Sequence, residues 1–137
     1  MMRRVGRAAL VVAVLAGCGG DDGTAPPPPP PPPSGPGSIS FGITVSPGAD
    51  HGALLITVTG GAVDSVTGLA GYEVFQSLTT SGARAMVFGA IVDGPLLRLW
   101  VPDLGRGDGY MVQVNEGAVR GTYGTVAPDA YQITRTP

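Results

Sequence analysis

Ile39-Ser40-Phe41-Gly42-Ile43-Thr44-Val45 places a large apolar side chain at every second position until Pro47-Gly48 ends the run. A period of two gathers such side chains on one face of a strand, whereas a helix would need them every third or fourth residue. The pattern recurs along the chain. Leu54, Ile56 and Val58 alternate with Leu55, Thr57 and Thr59 as far as Gly60-Gly61. Similar runs lie at Tyr72–Leu78, Ala83–Phe88, Leu96–Val101, Tyr110–Asn115 and Tyr131–Thr134, separated by turn formers such as Thr80-Ser81-Gly82 and Asp93-Gly94-Pro95. β-branched and aromatic residues dominate these runs, and none carries a helical apolar stripe. Seven short strands are predicted, and the gaps after residues 60 and 115 leave room for one or two more. Ser38–Pro137, about 100 residues, is therefore expected to be all-β, an antiparallel β-sandwich of about seven to nine strands with a single core.

What precedes the domain is of another kind. The chain has 137 residues, with 23 glycines and 14 prolines, and the excess concentrates in residues 19–37. Ahead of that stretch, Arg3, Arg4 and Arg7 lead into the apolar run Ala8–Ala16. That run is too short for a membrane-spanning helix, which needs about 20 residues, and it reads as the hydrophobic part of a signal peptide, residues 1–17. It ends in Leu15-Ala16-Gly17-Cys18.

That tetrapeptide resembles the lipobox of bacterial lipoproteins in all four positions. The resemblance implies cleavage before Cys18, which then carries a diacylglycerol and an N-acyl chain, so the chain's first partner is a lipid bilayer. Each buried methylene contributes about 0.8 kcal/mol, so two or three chains hold where one binds marginally. In the family, Asp directly after the lipidated Cys favours retention in the inner membrane. Here Gly19 stands there and Asp21 and Asp22 come later, which implies the outer membrane. Residues 18–37 then form a tether. Its eight consecutive prolines, Pro26–Pro33, have only polyproline II open to them, a stiff spacer on the order of 25 Å.

Charge and cysteine content exclude other classes. All eight basic residues are arginine, against ten acids. Loss of the signal peptide leaves five arginines and a net charge of about −5, with no basic stripe to neutralise phosphates; nucleic acid is excluded as a partner. Cys18 is the only cysteine, so the domain has no internal disulfide.

Asp108-Gly109-Tyr110-Met111-Val112 is similar to the start of strand F in immunoglobulin-like domains, where a Tyr hydrogen-bonds the backbone to close a corner. The residue four places before the Tyr, an Asp in that family, is Arg106 here, and no cysteine pair bridges the sheets. Gly94–Val101 together with Gly109–Val114 is also similar to cohesin-like sandwiches. Both resemblances imply a fold and no ligand.

Signals for chemistry are sparse. His51, the only histidine, follows Asp50 in the apparent first turn, where a solvated residue is expected, and zinc needs three or four ligands. No Gly-x-Ser-x-Gly elbow occurs, no metal or cofactor is implied, and the domain is expected not to be an enzyme. Catalysis would require two or more of Asp50, His51, Asp64, Asp93, Asp103, Asp108 and Glu116 to share one cleft. Arg106-Gly107-Asp108 spells a tripeptide read by adhesion receptors, placed on an expected hairpin tip, but such a tripeptide arises easily by chance in a Gly-rich turn, and a solvated turn is the expected reading.

The parity of the large side chains points to a surface. If Val74, Ala85, Val87, Leu97, Leu99, Val101, Val112 and Val114 face inward, then Phe75, Met86, Phe88, Leu96, Trp100 and Met111 face outward, with Arg98 among them. Such an apolar outer face would be a contact face for an envelope protein or a glycan, with Trp100 as its anchor. Two other outcomes stand beside it: Glu116–Ala130 folds over the face, or one strand has the opposite parity. A scaffold with no specific ligand would show a polar surface instead.

Overall fold

The computed structural model describes Gly23, residues 25–31 and residues 34–137. Leu15, Ala16, Gly17 and Cys18, on which the expectation of a lipid anchor rests, lie outside the described residues. Residues 25–31 are exposed and carry no helix or strand.

The domain is a sandwich of nine strands in two antiparallel sheets. The strands are β1 (Gly37–Val45), β2 (His51–Thr59), β3 (Ser65–Gly68), β4 (Glu73–Thr79), β5 (Gly82–Ile91), β6 (Gly94–Val101), β7 (Met111–Val119), β8 (Thr125–Val126) and β9 (Tyr131–Thr136). One sheet runs in the order β3-β6-β1-β9 and the other β4-β5-β2-β7-β8. The two strands without a clear sequence pattern, β3 and β8, occupy the two gaps left for them. Both are short, so period two had too few residues in which to show.

The alternation read from the sequence builds the core. Ile39, Phe41 and Ile43 of β1 and Leu97, Leu99 and Val101 of β6 are buried in one sheet; Leu54, Ile56 and Val58 of β2 and Ala83, Ala85 and Val87 of β5 are buried in the other. Burial of these side chains is the main favourable term holding the sheets together.

The β5–β6 connection is short, Val92-Asp93, yet it makes no hairpin, because β6 crosses to the opposite sheet and pairs with β1 and β3. The β6–β7 connection crosses back through a short 3-10 helix, Leu104–Gly109. Asp103 caps that helix by accepting from the Gly105 N–H at 2.8 Å. The segment entering the domain is fixed against the same helix: the Leu104 N–H donates to the Gly35 carbonyl at 2.8 Å, and the Gly35 N–H donates to the Asp103 carboxylate at 3.4 Å. The chain therefore enters at the pole that holds the 3-10 helix.

Candidate functional site

Phe75, Met86, Phe88, Leu96, Arg98, Trp100 and Met111, read as one face, are divided by the crossover of β6. Arg98 and Trp100 project from the outer face of the β3-β6-β1-β9 sheet, while Phe75, Met86, Phe88 and Met111 lie on β4, β5 and β7 of the opposite sheet. Leu96 is a correction of parity: it is fully buried. The β1–β6 register shifts between Phe41, opposite Leu97, and Gly42, opposite Pro95. Leu96 is thus the unpaired residue of a bulge, where alternation loses a step and two successive side chains turn inward.

The β4-β5-β2 side carries a continuous apolar strip. Phe75, Met86 and Leu55 stand directly opposite one another across three adjacent strands. Phe75 is 63 % and Met86 44 % exposed, and Leu55 lies between Met86 and Glu116. Phe88, one step along β5, meets Phe75 edge to face at 5.8 Å, the geometry that aromatic quadrupoles favour. Glu73 opposite Phe88, and Glu116 opposite Leu55, form a charged rim. The segment Glu116–Ala130 does not cover this strip: its first part continues β7, and the remainder forms a turn, β8 and a second short 3-10 helix.

At one end of the strip a depression of about 150 Å³ opens between Phe88 and Tyr123, bordered by Arg120. Tyr123 is 84 % exposed and holds a left-handed backbone conformation, φ 56°, which is costly for an aromatic residue. Met111 stands apart from the strip, opposite Thr59, with Thr57 and Arg84 between. Sequence reading had passed over Leu55 and Tyr123. The outward parity of Leu55 next to Leu54 was the available signal.

Trp100 has different company. Its cross-strand neighbours are Ser38 and Ser65, and those of Arg98 are Ser40 and Thr67. The Arg98 Nε donates to the Ser40 hydroxyl at 3.3 Å, which holds the guanidinium along the sheet.

His51 is a correction. It is 3 % exposed rather than solvated, because β2 begins at this residue and turns its ring inward. Nδ1 lies 2.7 Å from the Tyr131 hydroxyl and Nε2 3.4 Å from the Ser46 carbonyl. A carbonyl only accepts, so Nε2 carries the proton and Nδ1 accepts from Tyr131.

The Arg106-Gly107-Asp108 tripeptide lies in the 3-10 crossover and not on a hairpin tip, since the strands it joins belong to different sheets. Gly107 is buried, the Arg135 guanidinium donates to the Asp108 carboxylate at 2.9 Å, and Arg106 lies 4.0 Å from Asp103. The acidic candidates are dispersed. Asp50, His51 and Asp93 lie at the pole opposite the 3-10 helix, Asp64, Asp103 and Asp108 at the near pole, and Glu116 on the outer face. Among the described residues no three His, Cys, Asp or Glu side chains are grouped closely enough to hold a metal ion.

Tyr110 ties the start of β7 to a segment distant in sequence. Its hydroxyl donates to the Ala62 carbonyl at 2.5 Å, joining the start of β7 to the β2–β3 connection. Burial, then the neighbouring Asp64 and, more weakly, Asp103 push its phenol above the ordinary value, against a lowering pull from Arg106; burial alone raises Tyr131. Both folded-state values exceed the unfolded one, so the folded form holds these protons more tightly. Their contribution to stability is complete below about pH 10 and is lost as pH rises through the raised values. Thermal melts are expected to be level up to about that pH and to fall above it, with a shallower fall in Tyr110→Phe.

No family model, no curated protein and no solved structure matches the chain.

Proposed function

We propose that this chain is a lipid-anchored envelope protein whose sandwich is a non-catalytic binding module, and that a partner protein docks on the Leu55–Met86–Phe75 strip. The observation that carries this reading is the strip itself, an apolar row that runs uninterrupted across three strands to the sheet edge. Isolated apolar side chains on a surface need no explanation, whereas a contiguous row with a charged rim has the anatomy of an interface. The outer edge of this sheet is β4, which carries one charge, Glu73, and whose Gln76 side chain accepts from the Val66 N–H of β3. β4 pairs only with β5, in unbroken register, and has neither proline nor bulge to discourage a further strand. A partner that adds a strand to β4 would gain backbone hydrogen bonds there while covering Phe75. Trp100, the anchor expected from the sequence, belongs to the other face and takes no part in this contact.

The anchor and the outer-membrane address rest on Leu15-Ala16-Gly17-Cys18 and Gly19. Acylation at Cys18 would supply the membrane hold, and the proline run would stand the module off from the lipid.

The test is site-directed photocrosslinking of the full-length chain in membranes. A photoreactive residue at Met86 is expected to give one discrete protein adduct, reduced about tenfold by Phe75→Ser or Leu55→Ser. The same residue at Thr44, on the opposite sheet, should give none. No adduct at Met86, or equal adducts from both faces, overturns the docking reading. In the same preparation Cys18→Ala is expected to move the chain to the soluble fraction; a chain that still sediments with membranes overturns the lipid anchor.

A further inference from the structure

The outer face of the β3-β6-β1-β9 sheet differs in kind from the strip, and independently of it we infer that this face binds an extended glycan, with Trp100 as the stacking platform. Of the ten acids in the chain, Asp21 and Asp22 precede the domain, which leaves eight. None of the eight occupies an outward position on these four strands. Arg98 supplies the only charge there. Most other outward positions carry hydroxyls: Ser38 and Ser65 beside Trp100, Ser40 and Thr67 beside Arg98, and Thr134 and Thr136 on β9.

Composition selects the ligand. A protein partner would be met by several apolar side chains packed together at the centre of the patch. Here a single indole, 43 % exposed, stands between two serines too short to cover it. A pyranose ring with equatorial linkages presents a flat face of C–H groups bordered by hydroxyls. The C–H groups carry slight positive charge and fit the negative face of an indole. The bordering hydroxyls both donate and accept, and so do those of serine and threonine. The Arg98 guanidinium, held by Ser40 through Nε, keeps its other N–H groups for acceptor oxygens of the sugar. Paired strands lie about 4.8 Å apart, so the hydroxyls form regularly spaced rows along which an extended chain can lie.

Trp100 is the only tryptophan in the whole chain, so its emission reports on this site alone. The experiment titrates the full-length protein in detergent with cellohexaose and with the hexamer of N-acetylglucosamine, following Trp100 emission and, in parallel, calorimetry. The expected result is a saturable blue shift with at least one hexamer. Trp100→Ala should weaken the calorimetric affinity about tenfold or more, and Arg98→Ala several-fold. Trp100→Phe should restore part of the loss, and Phe75→Ser should change nothing. Melts of the variants within a few degrees of the parent separate lost binding from lost folding. No response to either hexamer overturns the assignment. So does binding that survives both Trp100→Ala and Arg98→Ala, or binding lost with Phe75→Ser, which would place the sugar on the other sheet.

Discussion

Gly60→Ala is expected to lower the melting temperature by about 20 °C, the larger of two effects that trace to glycines. Gly60 directly follows β2 with φ +112°, and a Cβ there would run into the Gly109 carbonyl and the Tyr110 backbone. The conformation alone costs about 1–3 kcal/mol for a residue with a side chain, and overlap with backbone that has nowhere to go adds a similar amount. The close approach brings Tyr110 within reach of Ala62. Gly48→Ala provides the comparison: its φ is +108°, but a Cβ there meets nothing within 4 Å. It should lose only about 1 kcal/mol. Equal losses in the two variants would mean that the contact with Gly109 relaxes freely.

Gly117→Ala is expected to cost about 2–4 kcal/mol, or roughly 10–20 °C in melting temperature. Gly117 belongs to β7, and a side chain there would occupy the place of the Tyr131 ring and hydroxyl, which reach across from β9 in the other sheet. Tyr131 could make room only by withdrawing from His51, whose Nδ1 would then be buried without a partner. Tyr131→Phe removes the hydrogen bond alone and should cost about 1–2 kcal/mol. Calorimetry of both variants separates the two terms. A Gly117→Ala loss no larger than that of Tyr131→Phe would show that the ring moves aside without penalty.

These two glycines mark where sequence reading reached its limit. Gly60 was legible as a turn signal, but nothing near it in sequence names Gly109, and Gly117 lies inside a strand with no local mark at all. The same boundary runs through the larger readings. Period two identified the inward and outward sides of β1, β2 and β5, and of β6 apart from Leu96, since that alternation is a local property of the chain. It could not say which sheet a strand joins, and a sandwich has two outsides. Trp100 and Phe75 share a parity and still face opposite ways, because Val92-Asp93 carries β6 across the core instead of turning it back on β5. Leu96 departed from its parity for a local reason, a bulge whose cause lies in pairing with β1. His51 was misplaced because its partner Tyr131 is 80 residues away. Alternation is written in neighbours, whereas sheet membership and burial of a polar group are written in partners.

The fixed entry point of the chain has a mechanical consequence. The segment before β1 is held at the 3-10 helix, and β1 is an interior strand of its sheet, paired with β6 on one side and β9 on the other. A pull arriving through Gly35 therefore acts along β1, parallel to the strands and across the direction of their hydrogen bonds. With the opposing load on the other sheet, both ladders carry it in shear, many bonds at once; a pull between Gly35 and Thr136, which lie at the same pole, would instead open β1–β9 from one end. Under a load set between β1 and the opposite sheet the domain yields slowly, and forced unfolding is governed by that rate and not by equilibrium stability.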